Sequence, residues 1–163
     1  MNERKGTMSN LDGKIILITG AAKGMGATEA KMAVERGATV ILSDIIEDQL
    51  KSTADSLDSA FSRLDVTSKD DWEKTISKIL DDYGRIDGLV NNAGIFIQKT
   101  LFDDAQEAFE AMAKVNQLGT YLGIECVAPI MRDQESGSIV NISSVAGLRG
   151  QRNIGYVASK FAV

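Results

Sequence analysis

The sequence of 163 residues has no histidine, one cysteine (Cys126) and one proline (Pro129). With no imidazole and one thiol, zinc would have almost only carboxylates to bind it, which argues against a zinc enzyme; no metal site is expected. The same absence removes the commonest general base and the Ser-His triads. Acid–base chemistry falls to Tyr, Lys, Asp or Glu. A lone Cys126 excludes an intrachain disulfide and fits a reducing cytoplasm. No apolar run reaches membrane-spanning length, and no apolar segment of secretory type follows Met1 to Gly6. Net charge is −5 and no Lys/Arg-rich run occurs, so neither nucleic acid nor an anionic membrane is an expected partner. At 44% hydrophobic and 25% charged, the chain reads as one globular domain.

What is present is organised around residues 14–26. Ile15 to Ile18 form an apolar, β-branched run of buried-strand type. Three glycines, Gly20, Gly24 and Gly26, then crowd one turn with Lys23 and Met25. After them Ala30, Ala33, Val34 and Gly37 recur at helical spacing, as on a small-residue face against a sheet. Strand, glycine turn and helix in this order make a dinucleotide-binding element: the turn lets a pyrophosphate approach, and the helix N-terminus offers N–H groups and a positive dipole end. A second strand ends in Asp44, at the offset where such a fold places an acid on the adenosine ribose hydroxyls. A strand-end turn is the other reading of Asp44.

From Lys14 onward strand-like and helix-like segments alternate. Strands are expected at 14–19, 38–43, 60–64, 86–91 and 137–143. Helices are expected at 25–36, 46–57, 69–83, 104–115 and 117–132. This alternation predicts an α/β fold with a doubly wound parallel sheet. Residues 1–11 read as a flexible leader and 12–163 as the dinucleotide-binding catalytic domain. Pro129 is expected to kink or end the fifth helix. Thr67 and Ser68, and the pair Asp103-Asp104, read as helix caps. Asp65-Val66 after the third strand fits an N-cap pair with Thr67 and Ser68. Asn91-Asn92-Ala93-Gly94 ends the fourth strand, where a ligand crevice forms and small residues admit close approach. Asn116 falls between two expected helices; a mid-helix Asn is mildly unfavourable unless its side chain finds a partner, and a helix-junction cap is the other reading.

Tyr156 and Lys160 are i and i+4, on one face of a helix. This is the only Tyr-x-x-x-Lys in the sequence. A fixed ammonium favours the phenolate, and such a tyrosine can exchange an alcohol proton while hydride moves to or from nicotinamide C4. A serine from Ser143-Ser144 fits the remaining role, a donor to the substrate oxygen.

The glycine turn in the form Thr19-Gly20-x-x-x-Gly24-x-Gly26, Asn-Asn-Ala-Gly, Asn116, Ser144, Tyr156 and Lys160 together resemble the short-chain dehydrogenase/reductase family over residues 12–163. The resemblance implies a Rossmann-type three-layer α/β/α sandwich with sheet order 3-2-1-4-5. It also implies that Ser144 polarises the carbonyl, Tyr156 is the acid/base, and Lys160 binds the nicotinamide ribose and tunes Tyr156. Asn116 would hold a water linking Lys160 to solvent. Asp65 and Val66 would meet the adenine, and Asn92, Ala93 and Gly94 the cofactor. NAD is expected over NADP because of Asp44, with Lys23 as the counter-signal. The chain departs from the family in two ways. The interval from Ser144 to Tyr156 is one residue short, so either the loop near Arg152-Asn153-Ile154 has lost a residue or Ser143 takes the catalytic place; local match favours Ser144. The family also continues well beyond Lys160, so the sequence is expected to be the front part of a longer enzyme.

The expected reaction is therefore hydride transfer between NAD(H) and a secondary alcohol or ketone. Gly94 to Ile97 and Val145 to Leu148 are apolar and expected near the pocket, which favours an apolar or cyclic substrate. Epimerisation or dehydration on the same residues, or a non-catalytic dinucleotide-binding regulator, are the alternatives. The family resemblance implies a homodimer or homotetramer in the full-length form, with Tyr121, Leu122, Ile124 and Val127 as half of an apolar interface.

Overall fold

A computed structural model of the chain describes residues 11–100, 102–103 and 105–163. Five parallel strands, β1 (Ile15–Thr19), β2 (Thr39–Asp44), β3 (Ala60–Arg63), β4 (Gly88–Asn91) and β5 (Ser138–Asn141), form one sheet in the order β3-β2-β1-β4-β5. β1 is central because both its faces are apolar; it pairs with β2 from Ile15↔Thr39 to Thr19↔Ser43 and with β4 from Ile16↔Gly88 to Ile18↔Val90. The order reverses between β1 and β4, which opens a crevice beyond their carboxyl ends.

Strand alternation divides the core in two. Ile15, Leu17, Ile41 and Leu89 pack on one face with Trp72, Ile76, Ile79, Leu122, Val127 and Met131, from α3 (Lys69–Tyr83) and α5 (Gly119–Asp133). Ile18, Val40 and Leu42 pack on the other with Ala30, Ala33, Leu50 and Ala54, from α1 (Gly24–Val34) and α2 (Glu47–Ser56). Trp72 is fully buried and donates Nε1–H to the Val66 carbonyl at 3.0 Å. Truncating it to alanine would cost about 3–5 kcal/mol. Ser68 caps α3 by accepting from Asp71 N–H, and Gly84, left-handed at φ 74°, ends it.

Helices expected at 104–115 and 117–132 are one continuous run. α4 (Gln106–Met112) passes through a π-helical turn (Ala113–Leu118) into α5. The turn absorbs the extra residue that made Asn116 look like a junction. Pro129 lies inside α5 and does not end it. Leu122 and Val127 are core residues, not interface: they face the sheet, while Tyr121 on the same helix is exposed. Asp103 does not cap α4. Its carboxylate accepts from the N–H and Oγ1 of Thr100, closing a turn. Asp104 and residues 1–10 of the expected leader lie outside the described residues. Leu11 donates its N–H to the Arg36 carbonyl at 2.9 Å. The last element is α6 (Ile154–Phe161), which carries Tyr156 and Lys160.

Candidate active site

The tips of β1 and β4 are tied by two side chains. Thr19 Oγ1 accepts from Asn92 N–H at 3.1 Å and Ala93 N–H at 3.0 Å. Asn92 Nδ2 donates to the carbonyls of Thr19 at 2.9 Å and Gly20 at 3.1 Å. This holds Asn92-Ala93 so close to the glycine turn that a Cβ on Gly20 would lie 2.8 Å from Ala93 Cα. Above the knot lies a crevice of about 680 Å³. It is lined by Gly20, Lys23, Met25, Asp44, Asp65, Val66, Asn92, Ala93 and Gly94 of the expected cofactor residues, and by Tyr156 and Lys160. Gly24 and Gly26 shape the turn without lining the crevice.

Asp44 closes one part of the wall. Its Oδ2 accepts from Ala22 N–H and its Oδ1 from Ile46 N–H, both at 3.1 Å. Asp65 lines the crevice and accepts from the N–H (2.9 Å) and Oγ1 (2.8 Å) of Thr67, while the cap of α3 itself is Ser68. Burial would raise its carboxyl, but the Thr67 bonds and the charges of Lys114 and Arg63 hold it below the ordinary value.

Lys160 is 6% exposed and donates Nζ–H to the Ile142 carbonyl at 2.7 Å. Burial pushes its pKa down. Tyr156, half-buried, makes a perpendicular ring contact with Phe96, centroids 5.0 Å apart. The two serines differ. Ser143 lines the crevice and donates to the Lys160 carbonyl at 2.7 Å. Ser144 does not line it; its Oγ caps a 3-10 turn (Val145–Gly147) by accepting from Ala146 N–H at 3.1 Å. Asn116, fully buried in the π turn, finds the partners that a mid-helix amide needs. Oδ1 accepts from Ile95 N–H at 2.7 Å, and Nδ2 donates to the Ile95 carbonyl and Ser159 Oγ, both at 3.0 Å. Its carbonyl accepts from Thr120 Oγ1.

Of the apolar residues expected at the pocket, Gly94, Ile95 and Phe96 line it, and Ile97 does not. Val145 and Leu148 point to solvent because the 3-10 turn directs Ala146 inward instead. Thr19 stands in the glycine-turn motif without an assigned role, and Ile142 and Asn153 are not among the expected site residues. Asn153 alone had a local signal, an Asn three residues before Tyr156 at a helix start. Among the described residues no group of three or more His, Cys, Asp or Glu could hold a metal ion, and no helix is long and apolar enough to cross a membrane.

The residues fit a dinucleotide. No side chain caps the start of α1, as none caps α2 or α4, and α1 follows directly on the glycine turn whose Gly20, Lys23 and Met25 line the crevice. Gly24 holds φ 62° with nothing within 4 Å of a built Cβ, which leaves room above the turn.

A sequence profile of the short chain dehydrogenase family matches residues 14–163. The chain is 35% identical over 162 residues to trans-4-hydroxycyclohexanecarboxylate dehydrogenase of Sinomonas cyclohexanicum, covering 92% of this chain and 62% of that protein. It is 39% identical over 156 residues to 3-alpha-(or 20-beta)-hydroxysteroid dehydrogenase of Mycobacterium tuberculosis (strain ATCC 25618 / H37Rv), covering 94% and 60%. A short chain dehydrogenase/reductase from Burkholderia phymatum, solved in complex with NAD, superposes with TM-score 0.90 at 33% identity, covering 95% and 58%. The chain thus spans about 60% of the length of the curated relatives it matches. On the sequence match and the shared fold together, the chain belongs to the short-chain dehydrogenase family.

Proposed function

We propose that this chain carries the nicotinamide site of an oxidoreductase that moves a hydride between NAD(H) and an apolar, cyclic secondary alcohol or ketone. The observation that carries the reading is the shared crevice: Tyr156 and Lys160, one helical turn apart, line the same space as Asp44 and the glycine turn. Bound nicotinamide supplies the hydride acceptor or donor at C4. The chain supplies the rest.

Tyr156 takes the hydroxyl proton in oxidation and returns it to the oxygen in reduction. Lys160, held by the Ile142 carbonyl, keeps an ammonium beside the phenol and within reach of a ribose. Ser144 is assigned as the donor to the reacting oxygen on its uncommitted proton, although Ser143 is the serine that lines the crevice. A serine hydroxyl has one proton to give; Ser143 commits its proton to the Lys160 carbonyl, whereas the cap at Ser144 only accepts. Each oxygen of Asp44 accepts one backbone N–H and keeps a lone pair for a ribose hydroxyl, and its charge repels a 2′-phosphate. Ile95 and Phe96 give an apolar wall, and both relatives named above are named for hydroxyl compounds that contain rings, which supports a cyclic substrate. A homodimer or homotetramer belongs to the same reading, with Phe109, Leu118 and Tyr121 exposed along one helical run.

The test is NADH formation with a panel of cyclic secondary alcohols. Turnover is expected, and Tyr156→Phe is expected to cut kcat by about 10²- to 10⁴-fold while NADH still binds. A folded protein that binds NADH and oxidises none of the panel, or a Tyr156→Phe variant near native rate, would reject the assignment.

A further inference from the structure

The segment Ile95 to Ile97, which follows the Asn-Asn-Ala-Gly turn, is gripped at alternate residues. Asn116 holds both the N–H and the carbonyl of Ile95. Two residues on, the Ile97 carbonyl accepts from Asn153 Nδ2 at 2.7 Å, and its N–H approaches Met112 Sδ at 3.5 Å. The other end of the Asn153 amide accepts from Tyr156 N–H at 2.9 Å, capping α6. One side chain therefore bonds the strip and the first turn of the helix that carries Tyr156. Phe96 sits between the two gripped residues. Its ring meets Tyr156 at 89° although the residue is 58% exposed, so burial alone does not hold it there.

We propose that Asn153 is a positioning residue of this site: by joining Ile97 to the start of α6 it fixes the Phe96 ring against Tyr156. The fixed ring forms a rigid aromatic wall beside the phenol, which favours a compact ring substrate over a linear chain of equal carbon number. The substrate clause rests on the function proposed above. The coupling of Asn153, Phe96 and Tyr156 does not.

Asn153→Asp separates the two bonds. A carboxylate still caps the helix but has no donor for the Ile97 carbonyl. Asn153→Ser, also a good cap and too short to reach Ile97, is the second variant. With labelled tyrosine, the ring resonances of Tyr156, assigned through Tyr156→Phe, report the ring current of Phe96. In Asn153→Asp and Asn153→Ser they are expected to move toward their position in Phe96→Ala, with Tyr83 and Tyr121 unmoved and Tm retained. In kinetics, the kcat/KM ratio of cyclohexanol to 2-hexanol is expected to fall about 3- to 10-fold in both variants, carried by KM for the ring alcohol. Combining Asn153→Asp with Phe96→Ala is expected to add nothing further to that ratio. Tyr156 resonances unchanged in both cap-retaining variants would overturn the coupling, and so would additive losses in the double variant. A wild-type protein without turnover would remove the functional reading alone, since the tyrosine spectrum decides the coupling by itself.

Discussion

The hydroxyl of Ser143 gives its proton to the carbonyl of Lys160 across 2.7 Å, which pins the end of β5 to α6 directly beside the ammonium that lines the crevice. That bond assigns the adjacent serines different work. Ser143→Ala should remove one strand-to-helix hydrogen bond, lower stability by about 1 kcal/mol and leave kcat within about threefold. Ser144→Ala should also lower stability by about 1 kcal/mol, since its Oγ caps the turn after β5, but on the proposed role as donor to the reacting oxygen it should lower kcat about 10²- to 10³-fold. Thermal melts and kcat for both variants check this. The reverse ranking would place Ser143 on the reacting oxygen.

Asp44 should set cofactor choice. Its two backbone bonds fix the carboxylate at the end of β2, so its charge cannot swing away from an approaching 2′-phosphate. Asp44→Ser should lower the NAD over NADP preference in kcat/KM by about 10-fold or more, mostly through the loss of NAD affinity and the relief of repulsion. Lys23 lines the same crevice and would aid the phosphate once the acid is gone. An unchanged ratio in this variant would mean that another group discriminates.

Strand and helix identity could be read from the chain because each depends on local pattern, whereas the strand order comes with the family resemblance. β1 is apolar on both faces, the glycines follow it, and the period changes after Gly26; the same logic delimits α3 at Ser68 and Gly84. The crevice residues Gly20, Asp44, Asn92, Tyr156 and Lys160 fall at strand ends or on one helix face, so topology brings them together. The π turn escaped notice because Asn116 and Gly119 imitate a helix break, and the compensation comes from Ile95, 21 residues away. Asn153 escaped for a similar reason. In sequence it is only part of a shortened loop, and its bond to Ile97 spans 56 residues. The outward turn of Val145 and Leu148 depends on Ser144 capping its own loop, which hydrophobicity does not report.

Acid stability should follow Asp87. Its buried carboxylate accepts from Arg85 Nε at 2.9 Å, Ile15 N–H at 3.0 Å and Lys14 Nζ at 3.3 Å. Burial would raise its pKa, but the Arg85 bond, then Ile15 and Lys14, outweigh it and hold the group below its ordinary value. A folded pKa below the unfolded one of about 3.9 gives stability that is present above pH 4 and lost as pH falls through the folded value. Asp87→Asn should cost about 2 kcal/mol at neutral pH and flatten the fall of Tm below about pH 4. Parallel acid limbs for the two proteins would show that other carboxylates govern acid unfolding.

Gly24 and Gly26 should fail in different ways when each is changed to alanine. A Cβ on Gly26 would lie 2.5 Å from both Asn92 Nδ2 and the Gly20 carbonyl, inside the knot that ties β1 to β4. Neither atom can retreat without breaking the Asn92 bonds, so Gly26→Ala should lower Tm whether or not cofactor is present. Gly24 meets nothing within 4 Å, and its cost is only the left-handed backbone at φ 62°, about 1–2 kcal/mol for a residue with a side chain. Its Cβ would instead occupy the open space over the uncapped start of α1, where a pyrophosphate would approach the N–H groups. Gly24→Ala should therefore stay folded and weaken NADH binding by about 10-fold or more, a loss readable by cofactor fluorescence against a melt of the free protein. Native NADH affinity in a folded Gly24→Ala would mean that the pyrophosphate does not lie over this turn, and the crevice would have to hold the cofactor some other way.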